Sequence, residues 1–438
     1  MRKRTKRLLA VFMAAAMLAG MTGCGTSGSA LDTATSEKKT EKTDDSKTEK
    51  TSDTGSSGDT IKLGLVADIS GTSANTQALN AITLAINEIN DAGGLLGKQV
   101  ELVYADSQSD TARYQEMGKK LIQEDNVDVL FTAGTSACRE AIRPVAEANE
   151  KLYFYCNSYE GGVASRYMFL AGPVPEQNVT PLLDYFSKNV GKKIYCLVAD
   201  YNYGRVMVEW LKEMAPDYGC EIVGEEYVPQ TTSDFSSSIA AIQKTDADAV
   251  FIAMVGSNMA SFFDQWANAD EDKVLMSLSN FCSYYEHKKL AAPSLAGSLT
   301  AASYMEEFNT DASKEFVKKF RELAPDEPYI TSNCAIAYNA VHIWAEAVEA
   351  AGSYDTEDVI NAIETKDLEF DGPGGHIKVE PKTHHLYTDM SVVEIDENHD
   401  AQVVETYEQV EPSYLLDMGI DLSKEDPQTQ YSPLDESN

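Results

Sequence analysis

Residues 61–105 read IKLGLVADISGTSANTQALNAITLAINEINDAGGLLGKQVELVYA. IKLGLV (61–66) is a β-rich run of buried-strand length. Ala78, Leu79, Ala81, Ile82, Ala85, Ile86 and Ile89 then recur at helical spacing, and Asp91-Ala92-Gly93-Gly94 breaks the pattern before a second β-rich run, VELVYA (100–105). Strand, amphipathic helix and strand in succession read as a parallel pair joined by a helical crossover.

The alternation continues with a helix near 111–124, VDVLFT (127–132), a helix near 137–149 and LYFY (152–155). A second round begins after Gly172-Pro173: a helix near 177–188, KIYCLV (193–198), a helix over 204–214, CEIVGEEY (220–227) and a helix near 235–244. DAVFIAM (248–254), a helix near 259–269, VLMSL (274–278) and SLTAAS (298–303) complete it. Helices near 312–323, 332–351 and 356–363 come next. LEFDGPGGHIKVE (368–380), HHLYTDMSVVEID (384–396) and AQVVETYEQV (401–410) then read as strands joined by tight turns, and the polar tail beyond 410 reads as peripheral. The predicted fold class is α/β, with two doubly wound parallel-sheet lobes and a ligand cleft between them.

A chain of 438 residues is long enough for two or three domains, and its 43% apolar and 24% charged residues are the balance of a globular protein with a sizeable core. The formal net charge of −34 repels the phosphate backbone, which speaks against nucleic acid as a partner.

Residues 1–7, MRKRTKR, form a basic n-region and residues 8–18, LLAVFMAAAML, an uncharged h-region shorter than the ~20 residues of a membrane-spanning helix. Met21-Thr22-Gly23-Cys24 resembles the lipobox of bacterial lipoproteins, in which the cysteine is cleaved at its amino side and lipidated. Residues 1–23 are expected to be a lipoprotein signal peptide, Cys24 the lipid attachment, and 24–60, rich in Ser, Thr, Lys, Asp and Glu, a disordered tether. That arrangement predicts a lipid-anchored protein on the extracytoplasmic face of the cell membrane. The other six cysteines, Cys138, Cys156, Cys196, Cys220, Cys282 and Cys334, form no CxxC pair and stand near no histidine at metal-ligand spacing. Cys156, Cys196 and Cys334 fall in apolar patterns and read as small buried hydrophobes, so neither a metal nor a catalytic cysteine is expected.

In open α/β sheets ligands meet the carboxyl ends of the strands, where loops carry polar groups free of packing. Here those loops begin Ile69-Ser70-Gly71-Thr72, Ala133-Gly134-Thr135-Ser136, Cys156-Asn157-Ser158-Tyr159-Glu160-Gly161, Ala199-Asp200-Tyr201-Asn202-Tyr203, Val255-Gly256-Ser257 and Ser279-Asn280-Phe281. Hydroxyls, amides and tyrosine rings recur, an inventory suited to a small neutral polar solute. Taken singly, each Ser, Thr or Asn is also an ordinary loop or helix cap, Thr135 and Ser136 included. Ser70, Thr135 and Gly256 are candidate ligand-binding residues on this ground.

The opening stretch resembles type I periplasmic binding proteins, with a GGLLGK-type turn between the first helix and the second strand. GTSACREAIRPVAEANEKLYFYCNSYEG, SRYMFLAGPVPEQN, ADYNYGRV and DGPGGHIKVEPKTHHLYTDMSVVEID are similar to the branch of the Leu/Ile/Val-binding-like family that binds urea and short-chain amides. The resemblance implies a three-crossing hinge, with lobe 1 formed by 61–172 plus 304–370, lobe 2 by 173–303 plus 371–410, and a C-terminal tail, 411–438. It also implies ligand-binding roles for Ser136, Tyr155 and Asn157 from one lobe and for Tyr201 and Tyr203 from the other. The branch usually has a threonine where this chain has Asn157 and an aromatic where it has Gly134, differences that alter pocket size and polarity.

An amino-acid receptor of this fold must neutralise a buried ammonium with a carboxylate. Ser279-Asn280-Phe281-Cys282 offers none, with Asp200 and Glu286 as nearby alternatives, and this points toward a neutral ligand. No GxSxG, HExxH, P-loop or GxGxxG occurs, and the six histidines, His384-His385 among them, mostly fall late in the chain, so no enzyme activity and no cofactor are expected. The expected function is the solute-binding lipoprotein of an ABC importer, which would take urea or a short-chain amide and meet permease subunits in its closed form. A binding protein for branched-chain or other amino acids is the alternative. A cytoplasmic amide sensor, known in the same branch, conflicts with the signal peptide.

Overall fold

The computed structural model describes residues 60–70, 76–254, 257–269 and 272–433; the signal segment, Cys24, the tether up to residue 59 and Gly256 lie outside them. β1 (Ile61–Ala67), α1 (Gln77–Asp91), β2 (Val100–Asp106), α2 (Thr111–Gln123), β3 (Val129–Thr132), α3 (Ser136–Ala148) and β4 (Tyr153–Tyr155) alternate as the periodicity predicts. β5 (Val163–Ala164) and β6 (Met168–Leu170) follow, each too short for a period of two to show. β6 completes a parallel five-stranded sheet in the order β2-β1-β3-β4-β6.

The second round comprises α4 (Pro175–Asn189), β7 (Lys193–Ala199), α5 (Asn202–Met214), β8 (Glu221–Val228), α6 (Ser236–Ile242) and β9 (Ala249–Ala253). α7 (Ser257–Trp266), β10 (Val274–Ser277), the one-turn α8 (Glu286–Lys289) and β11 (Leu299–Ala302) follow. The chain then returns to the first sheet, where α9 (Asp311–Leu323) and α10 (Ser332–Ala351) pack on α1, and α11 (Thr356–Thr365) packs on α10. α10, SNCAIAYNAVHIWAEAVEAA, is buried on nearly every side, and Trp344 sets its edge against the Phe131 ring of β3 at 6.2 Å.

β12 (Glu369–Gly372), β13 (Gly375–Glu380), β14 (His385–Ile395) and β15 (Ala401–Val410) complete a second sheet, ordered β12-β13-β14-β11-β10-β9-β7-β8 with β15 also on β14. β7 to β11 pair in parallel, whereas β12 to β15 join through antiparallel ladders. Short turns such as Pro373-Gly374 can only reverse a chain, so this sheet is mixed. The chain passes between the sheets after β6, after β11 and after α11.

The tail is not peripheral. α12 (Ser413–Met418) and β16 (Thr429–Gln430) carry it back to the first lobe, where β16 pairs with β5 and Leu415, Ile420 and Leu422 bury against Ala164. The residues that bury, Leu415, Ile420 and Leu422, stand at spacings of five and two and so follow no single helical or strand period.

All six described cysteines are free and buried. Among the described residues no helix is long and apolar enough to cross a membrane, and no three His, Cys, Asp or Glu side chains gather to hold a metal.

Candidate functional site

A cleft of about 450 Å³ opens where strand ends of the two sheets face each other. Thr135 and Ser136 follow β3, Tyr155 ends β4 with Asn157 just beyond it, and Tyr201 and Tyr203 stand at the start of α5 after β7; all six line the cleft. Ser279, after β10, and Tyr284 join them from the second lobe.

Ser70 is placed elsewhere. Its hydroxyl donates to Asp106 Oδ2 (2.5 Å) and its N–H to Oδ1 (3.1 Å), tying the loop after β1 to the end of β2. Thr135 is the N-cap of α3: its Oγ1 accepts from the Cys138 N–H at 3.4 Å, so it reaches the cleft wall as a helix cap.

Three of the lining groups can be assigned a proton by their partners alone. Ser136 Oγ lies 2.5 Å from Glu160 Oε2, and an ionised carboxylate only accepts, so the serine donates. Tyr155 Oη and Asn157 Nδ2 both reach the Gly134 carbonyl, at 2.9 and 3.2 Å, and a carbonyl likewise only accepts. Ser136 and Tyr155 thus spend their one donor on the protein and keep acceptor oxygens for the cleft, while Asn157 keeps its Oδ1 acceptor and a second N–H. Across from them, desolvation raises the Tyr201 and Tyr203 phenols above their usual range, so both stay protonated and able to donate.

Glu160 is held by a buried cation. Arg139, on α3, is fully buried and its Nη2 lies 3.0 Å from Glu160 Oε1. Burial alone would raise this carboxyl, but Arg139, with Ser136 and Gln430, keeps it below the usual carboxylate range. The guanidinium also stacks over the Tyr155 and Tyr159 rings, at 5.2 and 4.7 Å from their centroids. Behind them His385 lies within 2.6 Å of both the Thr383 carbonyl, through Nδ1, and Tyr159 Oη, through Nε2. The carbonyl requires the proton on Nδ1, so Nε2 accepts from the phenol, and burial lowers the imidazole to about 4, keeping it neutral.

The cleft's charges are therefore compensated. Glu140 and Glu160 are the lining carboxylates among the described residues; Glu140 pairs with Arg139 and Arg143, and Glu160 with Arg139. Neither alternative raised by the sequence takes part: Asp200 pairs with Arg205 at the surface, and Glu286 with Lys289.

Sequence reasoning gave no role to Arg139, Glu160 or Gln430. Glu160 stands inside the family-like Tyr159-Glu160-Gly161, and Arg139 is a charged residue on the buried face of a helix; both are signals a reader can use. Gln430 carries no local signal, because its partners lie some 270 residues away.

Gly134 shows why the aromatic of the urea and amide branch has no place here. A Cβ on it would lie 2.6 Å from Tyr114 Oη and 2.9 Å from Cys138 Cβ, and Tyr114, fully buried, is itself tied to the Val66 carbonyl at 3.1 Å. Gly134→Ala is expected to cost about 1–3 kcal/mol by overpacking, measured by guanidinium chloride unfolding. It should weaken solute binding as well, because the Gly134 carbonyl anchors Tyr155 and Asn157.

Residues 60–400 match the family model described as "Periplasmic binding protein". Leu/Ile/Val-binding protein homolog 8 of Brucella abortus is 24% identical over 328 residues, covering 70% of this chain and 81% of that one. The solute binding protein of an ABC transporter from Rhodopseudomonas palustris, in complex with 3,4-dihydroxy benzoic acid, superposes with a TM-score of 0.69 at 22% identity, covering 81% of this chain and 98% of that one. The branched-chain amino acid transporter substrate binding protein of Streptococcus pneumoniae, in complex with isoleucine, gives 0.70 at 22%, covering 80% and 100%. With the two-sheet architecture, the strand-end cleft and a family match over most of its length, this chain belongs to the periplasmic binding protein family.

Proposed function

We propose that this protein is the extracytoplasmic solute-binding component of an ABC importer, anchored through a lipid on Cys24, and that it captures urea or a short-chain amide. The observation that carries this reading is the division of protons across the cleft. Ser136, Tyr155 and Asn157 face the solute with acceptor oxygens, suiting a ligand whose –NH₂ groups donate, while the Tyr201 and Tyr203 hydroxyls suit its carbonyl. The starts of α3 and α5 add the positive ends of two helix dipoles, which also favour a carbonyl oxygen. With both lining carboxylates already paired to arginine, an ammonium would enter without a counter-ion of its own.

The cleft is far larger than a solute of four heavy atoms, so tight capture requires hinge closure. The solute would meet Ser136, Tyr155 and Asn157 first, and the second lobe would then bring Tyr201 and Tyr203 onto it and exclude water, strengthening each hydrogen bond. Permease subunits would read the closed form.

Binding of a branched-chain amino acid is the second reading. The Brucella relative's name and the isoleucine complex favour it, and the two helix N-termini would serve a carboxylate as well as a carbonyl. Thermal unfolding with each of four solutes separates the readings, since a ligand at roughly 100 times its Kd stabilises the native state by about 2.7 kcal/mol. The midpoint is expected to rise with urea or acetamide at low millimolar concentration and to stay unchanged with isoleucine and 3,4-dihydroxybenzoate. A rise with isoleucine alone overturns the amide assignment.

A further inference from the structure

The tail begins on the second sheet and ends in the wall of the cleft. Gln430 lines the cleft, and every polar atom of its side chain is engaged there. Its Nε2 donates to Glu160 Oε1 and to the Gly161 carbonyl, both at 2.9 Å, and its Oε1 accepts from Arg139 Nη2 at 3.1 Å. Carboxylate and carbonyl only accept and guanidinium only donates, so the orientation of this amide is dictated by its partners.

The backbone around it is seated with equal specificity. β16 pairs antiparallel with β5, the Tyr431 N–H donates to the Gly162 carbonyl at 2.8 Å, and Arg143 Nη1 holds the Gln428 carbonyl at 2.9 Å. Upstream, the Asp426 carboxylate accepts from the Arg166 N–H at 2.9 Å. Gly162 has φ +80°, and a Cβ there would collide with the Tyr431 carbonyl, so glycine is what lets the strap lie this close.

We propose that β16 is part of the solute site, with Gln430 a positioning residue that holds the Glu160 carboxylate, and through it the Ser136 hydroxyl, in the orientation that meets the solute. This rests on reading the cleft as the solute site. A two-residue strand adds little to a sheet, whereas a fully engaged amide between Glu160 and Arg139 determines which way the lining serine points.

The test is calorimetric titration of the whole chain with urea, acetamide, isoleucine and 3,4-dihydroxybenzoate at pH 8 and pH 5, each variant referred to wild type at the same pH and checked for an unchanged melting midpoint without solute. Gln430→Glu keeps the shape but exchanges two N–H donors for an acceptor facing Glu160. The charged and titratable groups around that position are Glu160 and Tyr159 from the loop after β4, Tyr155 from β4, Arg139, Glu140 and Arg143 from α3, and Asp426 from the strap itself. At pH 8 two carboxylates compete for one guanidinium; at pH 5 the introduced carboxyl takes a proton and regains a donor.

Acetamide affinity in Gln430→Glu is expected to fall about 10-fold at pH 8 and to return to within about 3-fold of wild type at pH 5. Gln430→Ala should be weakened alike at both, and Ser423→Ala, in the same tail, should bind as wild type. Wild-type affinity in Gln430→Glu at both pH values, or the same loss at both, overturns the proposal. If wild type takes isoleucine and neither amide, the amide reading fails by itself, and the same ratios measured with isoleucine decide the role of the strap. A wild-type chain that binds none of the four overturns both.

Discussion

Arg139→Leu is expected to lower stability toward guanidinium chloride by about 3–5 kcal/mol at pH 7, because it leaves the Glu160 carboxylate buried without its cation. The pH dependence has a definite sign. In the wild type the Glu160 pKa is lowered, so the group contributes stability above its unfolded pKa and loses it as pH falls through the folded value. In the variant burial, the largest influence on this carboxyl, is opposed only by the Ser136 and Gln430 hydrogen bonds and raises that pKa, so stability is lost as pH rises. The deficit should therefore be large at pH 7.5 and shrink at pH 4.5. Equal deficits at the two pH values would place the role of Arg139 in its packing over Tyr155 and Tyr159 and not in its charge. The double variant Arg139→Leu, Glu160→Gln should recover much of the loss, since it removes both charges together.

Ser136→Ala is expected to reduce solute affinity about 10- to 100-fold, which is about 1.4–2.8 kcal/mol, with titration calorimetry as the readout. The substitution removes an acceptor from the cleft and leaves Glu160 Oε2 without its donor. Thr135→Ala, one residue earlier, should behave in the opposite way: the loss of the α3 cap costs about 1 kcal/mol of stability while affinity stays near wild type. Strong loss of affinity in Thr135→Ala with wild-type binding in Ser136→Ala would overturn the assignment of protons across the cleft.

The family-like segments and the strand ends brought Ser136, Tyr155, Asn157, Tyr201 and Tyr203 into view before any coordinates, and the structure gathers all five around one cleft. That was possible because an α/β chain carries its loops to one edge of each sheet as a consequence of strand direction, and strand direction is legible from alternation. Ser70 obeys the same topology yet lies off the cleft wall, because the nearby Asp106 carboxylate takes both its hydroxyl and its N–H. Topology brings a residue to an edge, and local hydrogen bonding decides where its side chain turns.

Periodicity of 3.6 and 2.0 determined the two rounds of strand and helix, because each element's burial is written within its own ten or so residues. The antiparallel completion of the second sheet, the pairing of Glu160 with Arg139 and the return of Gln430 to the cleft were decided only by tertiary structure. Those contacts join residues as much as 291 positions apart, and nothing in the composition of 411–433 marks which carboxylate its glutamine will meet. What a hydroxyl offers a solute depends on who already holds its proton, and for Ser136 that partner is supplied by folding, not by its neighbours in the chain.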